Sequence, residues 1–301
     1  MLDGWQGHDQ NKNVTAYPLY DFGGKGSRLA FKVAEHLHLC KMERWYGKWR
    51  SNVADFDTVI ISDGIRGADV IEYIKKHNPR ARIIIYYVNT FNDGDRNSPE
   101  NYRRFGVEFA TFDRQAAEKY GIKFKHYFYE YETEAKAAQR KGGDIEWDAV
   151  FFGVDKGRID ELLRLRDEMK EIGLKPIFFV VPWKRRKYTA RQREILLENH
   201  VPYPKIAETI VRSRAVVDIN MKGQSGITQR PMESMFLERK LITDNQDIVN
   251  YDFYDPRNVF IIGRDDFAAL PQFIKSPYIP AEEEIKDGYR PKKWLEGFFD
   301  I

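Results

Sequence analysis

The chain has 301 residues, of which 42% are hydrophobic and 32% charged, which is typical of a globular protein and excludes a disordered one. Its 49 Lys and Arg against 46 Asp and Glu leave a net charge of +3, so the charge balance does not indicate a nucleic-acid partner. The single Cys40 excludes an internal disulfide and a Cys-rich zinc site. The 6 His show no metal-ligand spacing, and no metal site is predicted.

The length suits one large or two medium domains with substantial cores. No apolar run approaches the roughly 20 residues that a membrane-spanning helix needs. The first five residues, Met-Leu-Asp-Gly-Trp, lack the basic and apolar regions of a signal peptide. We therefore expect a cytoplasmic protein.

Strand and helix patterns alternate along the first half of the chain, which predicts parallel α/β units. Strands are predicted over Val14–Tyr20, Asp57–Ser62, Arg82–Val88, Glu108–Phe112 and Lys125–Tyr129. Helices are predicted over Ser27–Cys40, Ala68–His77 and Arg114–Tyr120. Arg82–Val88 is almost entirely β-branched or aromatic, so we expect it at the centre of its sheet.

A second α/β unit is predicted after a segment rich in Glu, Lys, Ala and Gln, Glu130–Trp147, which we interpret as a hinge. Its strands are Ala149–Gly153, Pro176–Val181, Ala215–Asn220, Lys240–Thr243 and Val259–Gly263, and its helices are Arg158–Ile172, Pro204–Arg212, Pro231–Glu238 and Asp265–Ile274. We expect an N-terminal domain over residues 1–140 and a C-terminal domain over 141–280. A last helix within 281–301 is expected to pack back on the N-terminal domain.

The strand Ala149–Gly153 ends in glycine and is followed by Lys156 and Arg158 at the start of a helix. Backbone N–H groups at a helix N-terminus favour anions, and cationic side chains add charge-assisted hydrogen bonds. Cations oppose the dipole at this end of a helix, so an anionic ligand explains them better than a structural role. Gly153, Lys156 and Arg158 are therefore predicted to hold phosphate.

A second glycine-rich loop precedes the helix that carries Arg230 and Glu233. The loop side chains and glycine predicted to contact a diphosphate are Gln224, Ser225, Gly226 and Thr228. Glu233 is predicted to bind ribose hydroxyls, with Arg230 supporting the donor site. The alternative for Glu233 is a solvent-facing residue paired with Arg230 or Arg239. Asp218 is interpreted as the cap of its strand.

These motifs resemble those of GT-B glycosyltransferases of the bacterial lipopolysaccharide or capsular polysaccharide type. The resemblance covers residues 148–265 and is carried by 153–158, by 218–230 with Glu233, and by 241–259. It implies two Rossmann-like α/β domains facing a central cleft, with a nucleotide-sugar donor such as a UDP-sugar bound to the C-terminal domain. It further implies a hexosyltransferase that uses no metal or other cofactor, because cationic side chains neutralise the leaving diphosphate.

Three acids of the first half lie after predicted strands. The cleft of a GT-B fold would lie at these strand ends. Asp21 begins the glycine-rich turn 21–27, Asp63 follows a strand, and Asp93 lies in the loop 89–96. They are candidates for the base that an inverting reaction needs. A plain turn explains the 21–27 segment equally well, and a solvated turn is the alternative for Asp93.

Two stretches combine basic and aromatic residues, 44–50 and 183–188. Contact with the inner face of an anionic membrane fits them, because Trp, Lys and Arg suit the headgroup zone. Ordinary surface charge with partly buried Trp is the alternative. No nucleic-acid motif accompanies them, and no nucleic-acid partner is expected.

Three functions remain open. The first is transfer of a sugar from a nucleotide diphosphate to a saccharide or lipid-linked acceptor in surface polysaccharide synthesis. The second is a sugar-nucleotide epimerase on the same fold, and the third is a non-catalytic nucleotide-sugar-binding protein. A dinucleotide-dependent oxidoreductase is disfavoured because neither first strand is followed by Gly-x-Gly-x-x-Gly.

Overall fold

In the computed structural model, the chain divides into two compact units, Met1–His126 (unit 1) and Tyr127–Ile301 (unit 2). The structure describes residues 14–36, 42–62, 65, 67–183 and 186–299. In that part of the chain, no helix is both long and apolar enough to cross a membrane.

Unit 1 contains a parallel sheet in the order β1-β2-β3-β4. The strands are β1 (Thr58–Ser62), β2 (Arg82–Tyr87), β3 (Glu108–Thr111) and β4 (Lys123–Phe124), and the helices are α1 (Lys25–His36), α2 (Asp69–His77) and α3 (Arg114–Tyr120). Short 3₁₀ helices span Met42–Trp45, Lys48–Ser51, Val53–Asp55, Pro99–Asn101 and Arg103–Phe105. β2 lies inside the sheet and is buried along nearly its whole length, so its predicted central position is confirmed.

The predicted first strand, Val14–Tyr20, is wrong. Only Tyr20 forms a β-bridge there, an antiparallel one with Tyr46. Pro18 offers no N–H for a strand ladder, and the carbonyl of Leu19 instead accepts from the backbone N–H of Gly47 at 3.0 Å. This segment is therefore held by the 3₁₀ turns that follow it in the chain.

The predicted strand Lys125–Tyr129 is also wrong, because the strand consists of Lys123 and Phe124. After it, Tyr86 Oη donates towards the carbonyls of Lys125 and His126, both at 3.3 Å. These backbone acceptors are thus engaged by a side chain of β2 and not by a neighbouring strand.

Unit 2 contains a five-stranded parallel sheet in the order β6-β5-β7-β8-β9. The strands are β5 (Trp147–Val154), β6 (Pro176–Val181), β7 (Ser213–Asp218), β8 (Lys240–Thr243) and β9 (Val259–Ile261). The helices are α4 (Glu132–Lys141), α5 (Ile159–Glu171), α6 (Ala190–Arg193), α7 (Tyr203–Val211), α8 (Gln229–Leu237), α9 (Leu270–Lys275), α10 (Glu283–Gly288) and α11 (Pro291–Glu296), with 3₁₀ turns over Gln246–Asn250 and Phe267–Ala269. The elements predicted for this half are present close to their predicted bounds.

The segment predicted as a hinge contains α4 and belongs to unit 2. The C-terminal segment packs against this part of the chain: the ring centroids of Trp294 and Phe128 are 4.6 Å apart, and Arg290 Nη2 lies 2.8 Å from Glu132 Oε1. Phe128 and Glu132 fall within the predicted N-terminal domain 1–140 but within unit 2 of the structure.

Candidate functional site

The candidate site lies where the order of strands in unit 2 reverses. β5 has β6 on one side and β7 on the other. The connection after β5 therefore runs to one side of the sheet, and the strands from β7 onwards are added on the other side. Parallel sheets of this order bind ligands beyond the carboxyl ends of the strands at such a topological switch point. The residues there are the turn 155–158 after β5 and the loop 219–228 after β7.

The turn after β5 is built around Asp155, which is completely buried. Its Oδ1 accepts hydrogen bonds from the backbone N–H groups of Gly157 at 3.1 Å and Ile159 at 2.9 Å, and so caps the start of α5. The backbone passes through the left-handed region at Lys156 (φ 44°) and Gly157 (φ 96°). This tight turn leaves Lys156 exposed and places Arg158 directly before the helix.

Two guanidinium groups converge on the end of β5. The buried Arg158 donates to the carbonyls of Ile219 and Val154, the second at 3.1 Å. Arg230 Nη1 donates to the carbonyl of Phe152 at 3.3 Å. Both guanidinium groups thus lie at the boundary between β5 and β7.

Gly153 keeps the space between the two guanidinium groups open. A Cβ at this position would lie 3.2 Å from a terminal nitrogen of Arg158 and 3.2 Å from one of Arg230. It would also lie 2.9 Å from the ring of Phe151, so any larger residue would crowd the site. We name Lys156, Arg158 and Arg230 the three-cation cluster.

The positive charges of this cluster repel one another. Burial, and then the charge of Arg230, lowers the pKa of Arg158 to about 10. Partial desolvation of the ammonium group, followed by the charges of Arg158 and Arg230, lowers the pKa of Lys156. Nε of Arg158 is buried without a hydrogen-bond partner among the described residues. An anion bound here would relieve both the repulsion and the unsatisfied donor.

Asp218 connects the end of β7 to the start of α8 and is fully buried. Its Oδ1 accepts from Arg230 Nε and from the hydroxyl of Thr228, each at 2.9 Å, and Oδ2 accepts from the hydroxyl of Thr243 at 3.3 Å. Asp218 therefore lies at a strand end, as expected, and in addition orients one cation of the cluster.

Several groups of the loop 219–228 that were predicted to bind phosphate are instead buried or form hydrogen bonds within the loop and to the start of α8. Ser225 and Gly226 are buried, and Gln224 Nε2 donates to the carbonyl of Gly226 at 3.1 Å. The hydroxyl of Thr228 accepts from the backbone N–H of Arg230 at 3.2 Å and so caps α8. Oδ1 of Asn220 is buried and unpartnered within the described ranges.

Glu233 faces inward, with an exposed fraction of 4%, so the alternative of a solvent-facing residue is wrong. Its Oε1 accepts from Gln229 Nε2 at 2.9 Å, while Arg230 forms its ion pair with Asp218. Burial raises the pKa of Glu233 to about 7, opposed by the charge of Arg230 and by hydrogen bonds from Tyr203 and Gln229. The side chain is therefore a proton-sensitive acceptor one turn into α8.

The candidate bases of unit 1 are placed differently. Asp21 Oδ1 accepts from the backbone N–H of Gly23 at 3.1 Å, which closes the local turn. The exposed Asp93 accepts from the Tyr120 hydroxyl at 2.6 Å and lies 2.9 Å from Lys119 Nζ. The Tyr120 hydrogen bond and then Lys119 lower the pKa of Asp93, which makes it a weaker base. Asp63 lies outside the described residues.

Contacts that the sequence did not predict fix the turn after β5. The Tyr188 hydroxyl donates to Asp155 Oδ2 at 2.9 Å, and an Arg186 guanidinium nitrogen lies 3.2 Å from the same oxygen. The segment after β6 is thus tied to the start of α5. An Asp two residues before a glycine at a helix start was the local sign of this cap.

The basic and aromatic stretch 44–50 does not present its Trp side chains to solvent. Trp45 and Trp49 have exposed fractions of 3% and 6% and belong to the core of unit 1. The interpretation that these two indole rings contact lipid headgroups is therefore wrong. Trp183, in the other stretch, is 51% exposed.

Within the part of the chain that the structure describes, no group of three or more His, Cys, Asp or Glu side chains is arranged to hold a metal ion. At the switch point, the cations Lys156, Arg158 and Arg230 lie among the buried acids Asp155 and Asp218.

Solved structures that match this chain include glycosyltransferases. AviGT4, a glycosyltransferase involved in avilamycin A biosynthesis, matches 84% of this chain over 75% of its own, with 14% identity and a TM-score of 0.56. The GtfA/B complex bound to UDP and GlcNAc covers 81% of this chain and 57% of its own, with 11% identity and a TM-score of 0.32. The wall teichoic acid polymerase TagF covers 92% of this chain and 93% of its own, with 12% identity and a TM-score of 0.28. No protein-family model and no curated protein matches the sequence. The chain is a mixed α/β protein with parallel sheets and a glycosyltransferase-like fold.

Proposed function

We propose that the chain is a GT-B glycosyltransferase that moves a sugar from a nucleotide diphosphate to a saccharide or lipid-linked acceptor. The observation that carries the proposal is the three-cation cluster at the switch point of the unit 2 sheet. The similarity of the fold to that of AviGT4 supports it. In this proposal, units 1 and 2 are the acceptor and donor domains.

The cluster supplies the chemistry that the leaving group needs. When the bond between the anomeric carbon and the diphosphate oxygen breaks, the electron pair stays on that oxygen. Lys156, Arg158 and Arg230 stabilise this charge in place of a divalent cation, so the proposed reaction requires no metal. Arg158 and Arg230 are already held by backbone carbonyls, which reduces the cost of reorganisation.

The rest of the donor is assigned to the loop 219–228 and to α8. Gln224, Ser225, Gly226 and Thr228 are proposed to line the diphosphate, and Glu233 is proposed to accept hydrogen bonds from ribose hydroxyls. A carboxylate is required for two strong acceptor contacts, so the raised pKa of Glu233 makes donor affinity depend on pH.

The acceptor belongs to unit 1 in this proposal. Asp21, Asp63 and Asp93 are the candidate bases for an inverting reaction, and the pKa of Asp93 is lowered by its hydrogen bond from Tyr120 and by Lys119. A lipid-linked saccharide of surface polysaccharide synthesis, of the lipopolysaccharide or capsule type, is the proposed acceptor. Such an acceptor would place the protein at the inner face of a membrane.

Calorimetric titration with UDP, GDP, ADP and CDP tests the donor site. We expect one of them to bind, and Lys156→Gln to weaken that binding about tenfold, because one charge-assisted contact of roughly 1.5–3 kcal/mol is lost. Arg164→Gln is the matched control, since Arg164 lies on α5 with its side chain 70% exposed. Equal losses in the two variants, or no binding of any nucleotide, would refute the site.

Nucleotide release from the corresponding sugar nucleotide separates the three functions. A transferase releases the nucleoside diphosphate faster when an acceptor saccharide is present. An epimerase converts the sugar of the donor without an acceptor. A binding protein leaves the sugar nucleotide intact under both conditions, and this outcome would reject the proposed transfer.

A further inference from the structure

The helix α1 of unit 1 has one side fixed in the core. Phe31 and Ala34 are each 4% exposed, and the ring centroids of Phe31 and Trp45 are 5.3 Å apart in an edge-on contact. Trp45 Nε1 also donates to the hydroxyl of Ser27 at 3.0 Å. These contacts set the rotation of the helix, so its other side faces outward.

Two aliphatic side chains lie on that outward side. Leu29 is 65% exposed and Val33 is 49% exposed. They are four residues apart and therefore neighbours on the helix surface.

A row of basic side chains runs beside the aliphatic pair. Lys25, Arg28 and Lys32 follow helical spacing and are exposed. The only acid of α1, Glu35, has an oxygen 3.8 Å from Arg96 Nη1, so its charge is offset. We name Leu29, Val33 and these three cations the α1 face.

The chemistry of the α1 face fits an anionic lipid surface better than a protein. Charge complementarity requires an anionic partner, and nucleic acid leaves the aliphatic pair without a role. Protein interfaces are centred on Phe, Tyr and Trp anchors in packed pockets, whereas the only Phe, Tyr or Trp side chain of α1, that of Phe31, is buried. Helices that lie on membranes combine an aliphatic stripe with Lys and Arg.

We propose that the α1 face binds the surface of an anionic lipid bilayer. Leu29 and Val33 enter the boundary between headgroups and acyl chains, and Lys25, Arg28 and Lys32 contact lipid phosphates. The proposal deepens the proposed location at the inner face of a membrane by naming the surface that makes the contact, and it is argued from residues of unit 1 alone. Its test uses no nucleotide, so either proposal can fail without the other.

Sedimentation of the full chain with vesicles measures this binding. We expect binding to vesicles of phosphatidylcholine with phosphatidylglycerol and much weaker binding to phosphatidylcholine alone. The triple change of Lys25, Arg28 and Lys32 to Gln should weaken binding about a hundredfold, at roughly fivefold per basic side chain. Leu29→Ser with Val33→Ser should weaken it about tenfold with the charge unchanged.

The matched control changes Lys75, Lys76 and Arg80 to Gln, three exposed cations of unit 1 at and just beyond the end of α2. It removes the same charge and should leave vesicle binding within about twofold. Equal losses in both triple variants, an unchanged Leu29/Val33 double variant with its fold intact by circular dichroism, or equal binding to neutral vesicles would each overturn the proposal.

Discussion

Arg230 donates from Nε to Oδ1 of Asp218 at 2.9 Å, and this ion pair joins the first turn of α8 to the end of β7. Asp218 is fully buried and the Arg230 side chain is 11% exposed, so solvent screens the pair little. The ion pair holds one cation of the three-cation cluster beside another, Arg158, whose pKa is lowered by burial and then by the charge of Arg230. Asp218 therefore contributes both to the stability of unit 2 and to the position of one cation of the cluster.

Asp218→Asn should destabilise the protein by about 3–5 kcal/mol, because it leaves Arg230 buried beside Arg158 without its counter-charge. Urea denaturation at neutral pH measures the loss. Glu100→Gln is the control, since Glu100 pairs with Arg103 at 2.8 Å on the surface and its loss should cost less than about 1 kcal/mol. Equal free energies of unfolding for the two variants would contradict the structural role of the buried pair.

The buried Glu233 should make stability depend on pH. Its pKa is raised from 4.5 to about 7 in the folded protein, so the folded state favours the protonated form. The stability contributed by that form is fully present below pH 4.5 and is lost as the pH rises through 7. Glu233→Gln should remove this loss and become more stable than wild type at pH 8.

The expected gain of Glu233→Gln at pH 8 is on the order of 3 kcal/mol, from about 1.4 kcal/mol per unit of pKa. Melting temperatures measured from pH 5 to pH 8 should diverge between the variant and wild type in that direction. Glu168→Gln, at a side chain 47% exposed on α5, is the control for removing one carboxylate. Parallel melting curves for Glu233→Gln and wild type across this range would show that Glu233 is charged throughout.

The strands of unit 2 were predictable because each is marked by a run of apolar residues within the strand itself. Pro176–Val181 and Lys240–Thr243 have the bounds that their runs of apolar residues predict. Val14–Tyr20 has a similar apolar content, but its backbone partners come from Gly47 and the neighbouring turns. Apart from Pro18, which lacks the N–H that a strand ladder needs, these long-range partners leave no sign in the segment itself, so the prediction of a strand failed there.

The sequence predicted two motifs that together hold one nucleotide, but it did not predict that their cations lie side by side. Lys156 and Arg158 follow one strand and Arg230 follows another, and only the pairing of β5 with β7 brings them into one cluster. The sequence also did not predict that Arg158 is buried, with its guanidinium donating hydrogen bonds to backbone carbonyls. An ordinary helix-start pattern does not distinguish a buried, structurally held cation from an exposed one such as Lys156.

Glu233→Ala should weaken binding of the nucleoside diphosphate at least about tenfold, because two hydrogen bonds from ribose to a charged acceptor disappear. Calorimetry at pH 8 measures the loss. The affinity of wild type should rise between pH 6 and pH 8 as Glu233 ionises, and that of the variant should not. An unchanged affinity in a variant with intact circular dichroism would remove the ribose contact from the proposal.

Donor turnover should survive excess EDTA within about twofold, because the three-cation cluster takes the place of a divalent cation at the leaving diphosphate. The measurement is release of the nucleoside diphosphate from the sugar nucleotide with acceptor, before and after chelation. Lys156→Gln provides a second arm: it should slow turnover to the same degree with and without chelator, since Lys156 and not a metal carries the charge. Loss of turnover in EDTA and recovery with magnesium or manganese would contradict the proposed mechanism. The loop of Asp93 and Asp95 in unit 1, where Asp93 is 72% exposed, would then be the first place to look for metal ligands.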